Sequence, residues 1–365
     1  MVCFAVSGGL VRSTMKQLLF FFLFIILSTG AFAQSKKDTP REGEGVYAFL
    51  RRNKCTEPEQ YKRFLELNKG KFGKNDALKK GIAYFLPDAS LKSEDSQPKD
   101  KEDAISEPDK ESSEQTGARR TYKLFGKKYE DYTVNSDKLK GATFFLCGGH
   151  GGPDPGAMAK VDGRMLHEDE YAYDITLRLA RCLMEEGATV YLIIQDAKDG
   201  IRDDRYLANS RRETCMGQTI PLNQVKRLKQ RSEKINRLSK RSKDKYKRAV
   251  FIHLDSRSKK QQLDVFFYHA KNSAEGKELA KTIRDTFNDH YNTHQPNRGF
   301  TGTVSTRNLY VLDNTAPIAL FAELGNIQNT FDQRRFLDPD NRQALANWVC
   351  RGFIKDYENW KVEKK

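Results

Sequence analysis

The feature that most constrains how this chain can fold is a strongly polar segment at residues 88–120. The segment consists mainly of Ser, Glu, Asp, Lys and Pro and contains no aromatic residue. It cannot bury enough apolar surface to offset the conformational entropy that ordering would cost, so we expect a flexible linker. The 365-residue chain therefore divides into a short N-terminal module at residues 43–87 and a larger C-terminal domain at residues 121–360.

Residues 1–33 have the organisation of a cleavable signal peptide. Lys16 precedes the apolar run Leu18–Leu27, and the small-x-small sequence Ala31–Ala33 follows that run. The run is too short to span a bilayer comfortably, so we expect export with no stable membrane insertion after cleavage. An uncleaved membrane anchor is the alternative. Because the charge and the apolar run directly follow Met15, translation starting at Met15 is an alternative to the full-length start.

The N-terminal module has segments that predict the order strand, helix, helix, strand. It opens with Gly43–Val46, continues through Leu65–Asn68 and closes with Leu78–Pro87. This order resembles a LysM module, in which an opening Gly-x-x-Val strand, a Leu-x-x-Asn helix end and a closing strand that ends in Pro recur. The resemblance implies binding to glycans that contain N-acetylglucosamine. The alternative is a small βααβ packing domain without a ligand.

The C-terminal domain alternates strand and helix patterns, which predicts an α/β fold with a mixed, mostly parallel sheet and helices on both faces. Apolar positions recur with a helical period in Glu168–Glu186, and Asp338-Pro339 is typical of a helix start. The predicted strands are Thr143–Leu146, Val190–Ile194, Ala249–Leu254, Leu263–Tyr268, Leu309–Leu312 and Ile318–Glu323.

Four side chains that suit a zinc centre lie at the ends of these elements. His150 follows the first strand in a glycine-rich turn, and Glu168 opens the first helix. His253 and Glu323 each end a later strand. A zinc site that hydrolyses amides needs about three nitrogen or oxygen ligands, an open position for water and a carboxylate that handles the proton. Because α/β proteins bind ligands at strand ends, these four side chains are our candidates.

The same residues lie in four ordered motifs. These are Gly149–Ala157, with the sequence Gly-His-Gly-Gly-Pro-Asp-Pro-Gly-Ala, then Glu168 at a helix start, Ile252-His253, and Glu323-Leu324-Gly325. Their types, order and spacing resemble the zinc-dependent N-acetylmuramoyl-L-alanine amidase family. The resemblance covers nearly the whole C-terminal domain.

The resemblance implies that His150, Glu168 and His253 bind one Zn2+ ion and that Glu323 is the catalytic carboxylate. It implies hydrolysis of the amide bond between N-acetylmuramic acid and L-alanine in peptidoglycan, with contacts to the glycan strand and the stem peptide. The enzyme would be secreted, periplasmic and associated with the cell wall; the sequence identifies no protein activator. Two alternatives remain, a non-catalytic peptidoglycan-binding scaffold and a zinc peptidase that acts within the stem peptide.

The chain departs from the family where Cys147-Gly148-Gly149 replaces the usual Asp-Pro-Gly before the first zinc histidine. If that aspartate orients the histidine in relatives, the hydrogen-bond partners that orient the zinc ligands differ in this chain. Cys147 as a soft metal ligand is one interpretation, and a buried thiol is the one we favour.

Other histidines compete for the metal-binding role. His167 is adjacent to Glu168, although the spacing along the following helix favours Glu168. His290 and His294 form an i, i+4 pair, but their polar flanks favour an exposed helix end.

A net charge of +15 favours an anionic partner. The predicted export makes nucleic acid an unsuitable one and favours the carboxylate-bearing stem peptides of the cell wall. Much of the charge lies in Gln224–Arg248, where Leu228, Ile235 and Leu238 recur at helical spacing. The charged face of this segment is either simply solvated or attracts anionic peptidoglycan.

Overall fold

The computed structural model describes residues 36–41, 46–55, 58–73, 78–88, 116–256 and 262–364. These residues form two compact units, an N-terminal one that contains most of residues 36–88 and a C-terminal one that contains residues 116–364. The predicted signal peptide and residues 89–115 of the predicted linker lie outside the described residues. Within the described ranges, no helix combines the length and apolar character needed to cross a bilayer.

The N-terminal unit contains two helices and a two-stranded antiparallel sheet. Its elements are β1 Lys37–Asp38, α1 Val46–Arg52, α2 Pro58–Leu67 and β2 Tyr84–Phe85. The predicted opening strand lies outside the described residues at positions 43–45; from Val46 onward it is wrong, because the chain there is helical, and β1 is the strand that pairs with β2. Val46, Phe49 and Leu50 are spaced i, i+3, i+4 and are all buried, which requires a helix.

Asn68 connects the end of α2 to the closing strand of this unit. Its side-chain amide donates to the carbonyl oxygens of Phe64, at 2.9 Å, and Phe85, at 2.8 Å. Its Oδ1 accepts from the backbone N–H of Phe85 at 2.8 Å. The asparagine of the Leu-x-x-Asn motif therefore has a structural role, because it satisfies backbone groups that would otherwise be buried without partners.

The C-terminal unit is built on a central sheet with smaller hairpins around it. Its strands are β3 Arg119–Thr121, β4 Asp131–Thr133, β5 Ala142–Gly148, β6 Met158–Val161, β7 Arg164–His167, β8 Thr189–Leu192, β9 Ile194–Gln195, β10 Thr214–Cys215, β11 Gln218–Thr219, β12 Tyr246–Asp255, β13 Phe266–His269, β14 Thr303–Thr306 and β15 Ile318–Asn326. Its helices are α3 Glu168–Glu185, α4 Gln224–Arg241, α5 Ala274–His294, α6 Tyr310–Asp313, α7 Gln333–Leu337 and α8 Pro339–Glu363, with a short 3-10 helix at Lys123–Phe125.

The central sheet has six strands in the order β14-β13-β15-β12-β5-β8. All neighbouring pairs are parallel except β13 and β15, which are antiparallel. Residues alternate between its two faces: Phe144 and Leu146 pack into a core with α3, α5 and α8, whereas Phe145 and Cys147 pack into a second core with α4 and α6. The predicted α/β fold with a mixed, mostly parallel sheet and helices on both faces is confirmed.

The predicted strand at Leu309–Leu312 is wrong, because Tyr310–Asp313 form the short helix α6. Val311 and Leu312 are adjacent and both pack into the core beside α4. A strand would point two successive side chains to opposite faces, whereas a helical turn lets both contact the same core. A four-residue apolar run does not distinguish these cases by its pattern alone.

A buried ion cluster joins α3 to α8. The Asp174 carboxylate is fully buried, and its Oδ2 accepts from Arg178 Nε at 2.8 Å and from Arg342 Nε at 2.7 Å. Its Oδ1 accepts from the backbone N–H of Arg202 at 2.8 Å. Since the two guanidinium groups are also buried, this carboxylate is the counter-charge that makes their burial tolerable.

Replacement of Asp174 by Ala is expected to lower the free energy of unfolding by about 3–5 kcal/mol, because it removes the carboxylate that pairs with the buried Arg342 and leaves Arg178 with Asp203 alone. Denaturant unfolding of the purified protein measures the change. Glu278→Ala is the control, because it removes an exposed carboxylate that pairs with Lys281 on the surface of α5 and should change stability little. Equal unfolding midpoints for the two variants would show that the cluster does not contribute in this way.

Candidate metal centre

The candidate residues meet at the carboxyl ends of the three central strands. β5 and β15 flank β12 and are parallel to it, so their carboxyl ends lie at the same edge of the sheet. Ile252 in β12 lies opposite Gly148 in β5, and His253 lies opposite Glu323 in β15. His150 follows β5 by two residues and reaches the same place. The register of the sheet therefore brings together side chains that are far apart in sequence.

The turn that carries His150 requires glycine at two positions. His150 itself has φ 60°, a conformation uncommon outside glycine and frequent at functional sites. A Cβ atom on Gly149 would lie 2.4 Å from the His253 ring. A Cβ atom on Gly156, where φ is +67°, would lie 2.6 Å from Oε2 of Glu168. Larger residues at these positions would fill the space in which the two imidazoles and the carboxylate meet.

Glu168, the first residue of α3, lies between the two histidines. Its Oε2 is 3.2 Å from Nε2 of His150, and its Oε1 is 2.9 Å from Nδ1 of His253. The backbone N–H groups of Ala157 and Leu254 donate to the same carboxylate at 2.8 and 3.1 Å and fix its orientation. One ligand atom from each of the three side chains lies within 4.8 Å of the others. Two imidazoles and one carboxylate are a ligand set that zinc commonly takes, so these residues could hold a metal ion.

The protonation of this group reflects its burial and its close opposite charges. Burial lowers the pKa of His150, but the carboxylates of Glu168 and Asp154 outweigh burial and raise that pKa to about 10. Burial opposes ionisation of Glu168, but His150 and His253 hold the pKa of this carboxylate well below its usual range. Burial lowers the pKa of His253. A bound cation would take the place of the proton on His150, because an imidazole ligates in its neutral form.

Asp154 and Arg227 orient His150 from the side opposite Glu168. Oδ2 of Asp154 lies 2.9 Å from Nδ1 of His150, and the Arg227 guanidinium donates to the same oxygen. Arg231, one turn further along α4, donates to the backbone carbonyl oxygen of His150. A proton on Nδ1, held by Asp154, leaves Nε2 facing Glu168, as a metal ligand requires. Arg227 and Arg231, which belong to the strongly basic segment Gln224–Arg248, therefore face the site and not the solvent.

Cys147 does not take part in this arrangement. Its side chain is fully buried in the core beneath α4, where burial raises the pKa of the thiol. The expectation of a buried thiol is confirmed. Although Cys147-Gly148-Gly149 lack the family's usual aspartate, the carboxylate that contacts Nδ1 of His150 is supplied by Asp154, four residues after the histidine.

The competing histidines lie outside the group. His290 and His294 stack on each other with ring centroids 6.0 Å apart, and both stack on Trp348. His167 precedes α3, and its side chain is not one of the two that cluster with Glu168. In the part of the chain that the structure describes, neither the pair nor His167 belongs to a cluster that could hold a metal.

Glu323 lies beside the metal-binding group without belonging to it. Its side chain is 8% exposed, and within the described residues its Oε2 has no hydrogen-bond partner. Burial, followed by the charges of Glu168 and Asp255, raises its pKa to about 8, against the opposing effect of Arg307. A carboxyl group with a pKa near neutrality and a free oxygen suits proton transfer.

A second buried acidic group supports the glycine-rich turn from behind. Asp169, Glu170 and Glu213 are all buried, with carboxylate oxygens within 4.8 Å of one another. Glu213 accepts from the backbone N–H of Gly152 at 2.9 Å, and Glu170 pairs with Arg202 at 2.9 Å. The sequence does not predict this group, because Glu213 is far along the chain from the adjacent Asp169 and Glu170 and lies in a segment that carries no recognisable motif.

Residues 145–355, more than half of the chain, match the family described as N-acetylmuramoyl-L-alanine amidase. The chain is similar to the germination-specific N-acetylmuramoyl-L-alanine amidase of Bacillus subtilis, with 25% identity over 60% of this chain and 80% of that protein. It is also similar to the probable cell wall amidase LytH of Staphylococcus aureus, with 27% identity over 61% of this chain and 60% of that protein. The match therefore spans less than two thirds of the staphylococcal relative.

Solved structures give weaker similarities. An N-acetylmuramoyl-L-alanine amidase from Clostridium difficile 630 aligns with a TM-score of 0.44 and 20% identity, covering 60% of this chain and 97% of that one. The amidase AmiC2 of Nostoc punctiforme aligns with a TM-score of 0.43 and 20% identity, covering 61% of this chain and 99% of that one.

Asp154→Ala is expected to weaken zinc binding by about 10- to 100-fold, because it removes the acceptor that orients His150. Competition with a chromophoric chelator measures the affinity. Asp285→Ala is the matched control, since it removes an aspartate whose ion pair is with its neighbour Arg284 on α5. Unchanged zinc affinity in the Asp154 variant would mean that the contact does not position the ligand.

Glu323→Gln is expected to stabilise the metal-free protein increasingly as pH rises. The pKa of Glu323 is about 8 in the folded protein, against an ordinary 4.5, so between these values the native state keeps a proton that the unfolded chain loses. In this window the native wild-type protein binds more protons than its unfolded chain does. Its stability relative to the variant therefore falls by up to about 1.4 kcal/mol for each unit that the pH rises. Unfolding of chelator-treated protein from pH 5 to 9 measures this. A difference that does not vary with pH would contradict the raised pKa.

Proposed function

Since the chain belongs to the N-acetylmuramoyl-L-alanine amidase family, we propose that its site is a one-zinc centre that cleaves the amide bond between N-acetylmuramic acid and L-alanine in peptidoglycan. The observation that carries the proposal is the arrangement at the ends of β5, β12 and β15. Two imidazoles and a carboxylate are held together there, and a second, buried carboxyl group with a free oxygen lies beside them.

His150, Glu168 and His253 would hold the ion. Glu168 is already oriented by two backbone donors, and His150 by Asp154, so little reorganisation of the ligands is needed on binding. Zinc bound in this way would polarise the lactyl carbonyl group as a Lewis acid and lower the pKa of a coordinated water towards about 7.

Glu323 would carry the proton between water and the leaving group. In its ionised form, the carboxylate of Glu323 accepts a proton from the attacking water while the C–O bond forms at the lactyl carbonyl carbon. It then donates this proton to the L-alanine nitrogen as the C–N bond breaks, because an amine leaves poorly unless it is protonated. The products are a free lactyl carboxylate on the sugar and a stem peptide with a new amino terminus. A pKa near neutrality lets one carboxyl group perform both steps.

The N-terminal unit would bind the glycan strand and the C-terminal unit would cut the stem. We propose this from the LysM-like order of motifs, with the mature protein secreted, periplasmic and associated with the wall. Tethering to the glycan raises the effective concentration of scissile bonds near the site. Co-sedimentation of an inactive full-length variant with insoluble peptidoglycan tests the tethering, and failure to sediment would contradict it.

Digestion of purified peptidoglycan with the mature protein tests the activity, with the products identified by mass spectrometry. We expect free stem peptides that begin with L-alanine and intact glycan strands. A chelator should abolish the products and added zinc should restore them, because the bound zinc is the group that polarises the scissile carbonyl. Shortened stems still attached to the sugar would identify a peptidase instead.

Glu323→Gln provides the matched variant for this assay. It keeps the three proposed ligands and removes the proton carrier, so hydrolysis should fall by about 10²- to 10⁴-fold with zinc content unchanged. If wild-type protein binds the wall and zinc but releases nothing, the chain acts as a scaffold. Full activity in the variant would remove Glu323 from the mechanism.

A further inference from the structure

Arg307, which directly follows β14, places a guanidinium group beside the catalytic candidate. Its Nη1 lies 4.0 Å from Oε1 of Glu323, and its side chain is 51% exposed. The guanidinium carbon lies 5.2 Å from the centre of the Tyr268 ring, whose face supports the group from one side. The cation is therefore held at the site while remaining accessible to solvent and to a ligand.

The hydrogen-bonding capacity of Arg307 is largely unused. Among the described residues, the contact with Glu323 is the only ion pair of this side chain, and 4.0 Å is too long for a hydrogen bond. Arg335 offers a contrast within the same unit, because its guanidinium donates to the carbonyl oxygens of Leu263 and Asp264 and to the Asp264 carboxylate. Arg335 is thus bonded to the fold, whereas the side-chain donors of Arg307 have no such partners within the ranges that the structure describes.

Acidic side chains beside Glu323 contribute unfavourably to the binding of an anionic substrate. Glu168 and Asp255 both act on Glu323 as like charges, and Arg307 is the first cation among the groups that oppose them. A stem peptide carries free carboxylates, which these acidic groups would repel. A cation with unused, planar donors at this position suits a carboxylate, which a guanidinium can bind through two parallel hydrogen bonds.

We infer that Arg307 binds the free α-carboxylate of the second stem residue and so selects stems in which this group is not amidated. The second residue is D-glutamate, linked onward through its side chain, and its α-carboxylate lies two residues along the stem from the scissile nitrogen. Two extended residues span at most about 7 Å. Glu323 must approach the scissile nitrogen to about 3 Å, and Nη1 of Arg307 lies 4.0 Å from Oε1 of Glu323. These distances allow the α-carboxylate of the stem to reach the guanidinium group.

This inference rests on the proposed amidase function, and the test separates the two. Two soluble muropeptides with the same glycan and stem length are digested in parallel, one with D-glutamate and one with D-isoglutamine as the second residue. Wild-type protein should cleave the D-glutamate form with a kcat/KM at least about tenfold higher, because amidation removes the charge that the guanidinium binds. Arg307→Ala should reduce this preference to within about twofold, and Arg307→Lys should retain an intermediate preference.

The ratio between substrates is the decisive quantity, because any effect of Arg307 on Glu323 changes both rates together. Arg351→Ala, at an exposed position on α8 whose side chain contacts His290, should keep the wild-type ratio. Continued cleavage of the D-isoglutamine form by Arg307→Ala shows that this variant is folded. If wild-type protein cleaves both substrates equally, or if Arg307→Ala keeps the preference, the inference is overturned while the amidase function stands. If neither substrate is cleaved, the proposed function fails as well.

Discussion

The site depends on one buried carboxylate held between two imidazoles. Glu168 begins α3, and two backbone N–H groups from other segments fix both of its oxygens before any ligand arrives. Burial of a carboxylate in this way is costly unless positive charge compensates it. In the metal-free protein, the protonated His150 supplies this charge and His253 adds a close polar contact, and a divalent cation would compensate the carboxylate more completely. The glycines at positions 149 and 156 leave the necessary space.

The parallel sheet and α4 supply the rest of the support. The sheet fixes the separation of His253 and Glu323 by placing them opposite each other in adjacent strands. Helix α4 crosses the turn that carries His150 and contributes two arginines, one to Asp154 and one to the backbone of the turn. Part of the strong positive charge of the chain is therefore used to position His150, a proposed metal ligand.

Much of the fold and of the candidate site could be predicted from local sequence, and the features that could not be predicted have physical reasons. The strands, the α/β class and the four candidate residues each carry a local signal, because a strand ending in His or Glu and a glycine-rich turn are recognisable in a few residues. Arg227 lies 73 residues from Asp154 and is one of many basic residues in its segment, so only tertiary packing selects it. The helices at Val46–Arg52 and Tyr310–Asp313 replace predicted strands because burial of neighbouring apolar side chains, not their short pattern, decided the conformation.

The central claim is that a single metal ion is held by two imidazoles and a carboxylate at the ends of the central strands. Anomalous diffraction at the zinc absorption edge, from crystals of the full chain grown with zinc, tests this most directly. The account predicts one strong anomalous peak bonded to Nε2 of His150, Nδ1 of His253 and the carboxylate of Glu168, with Glu323 nearby but not bonded. A peak bonded to other residues, or none at this position in zinc-replete crystals, would contradict it.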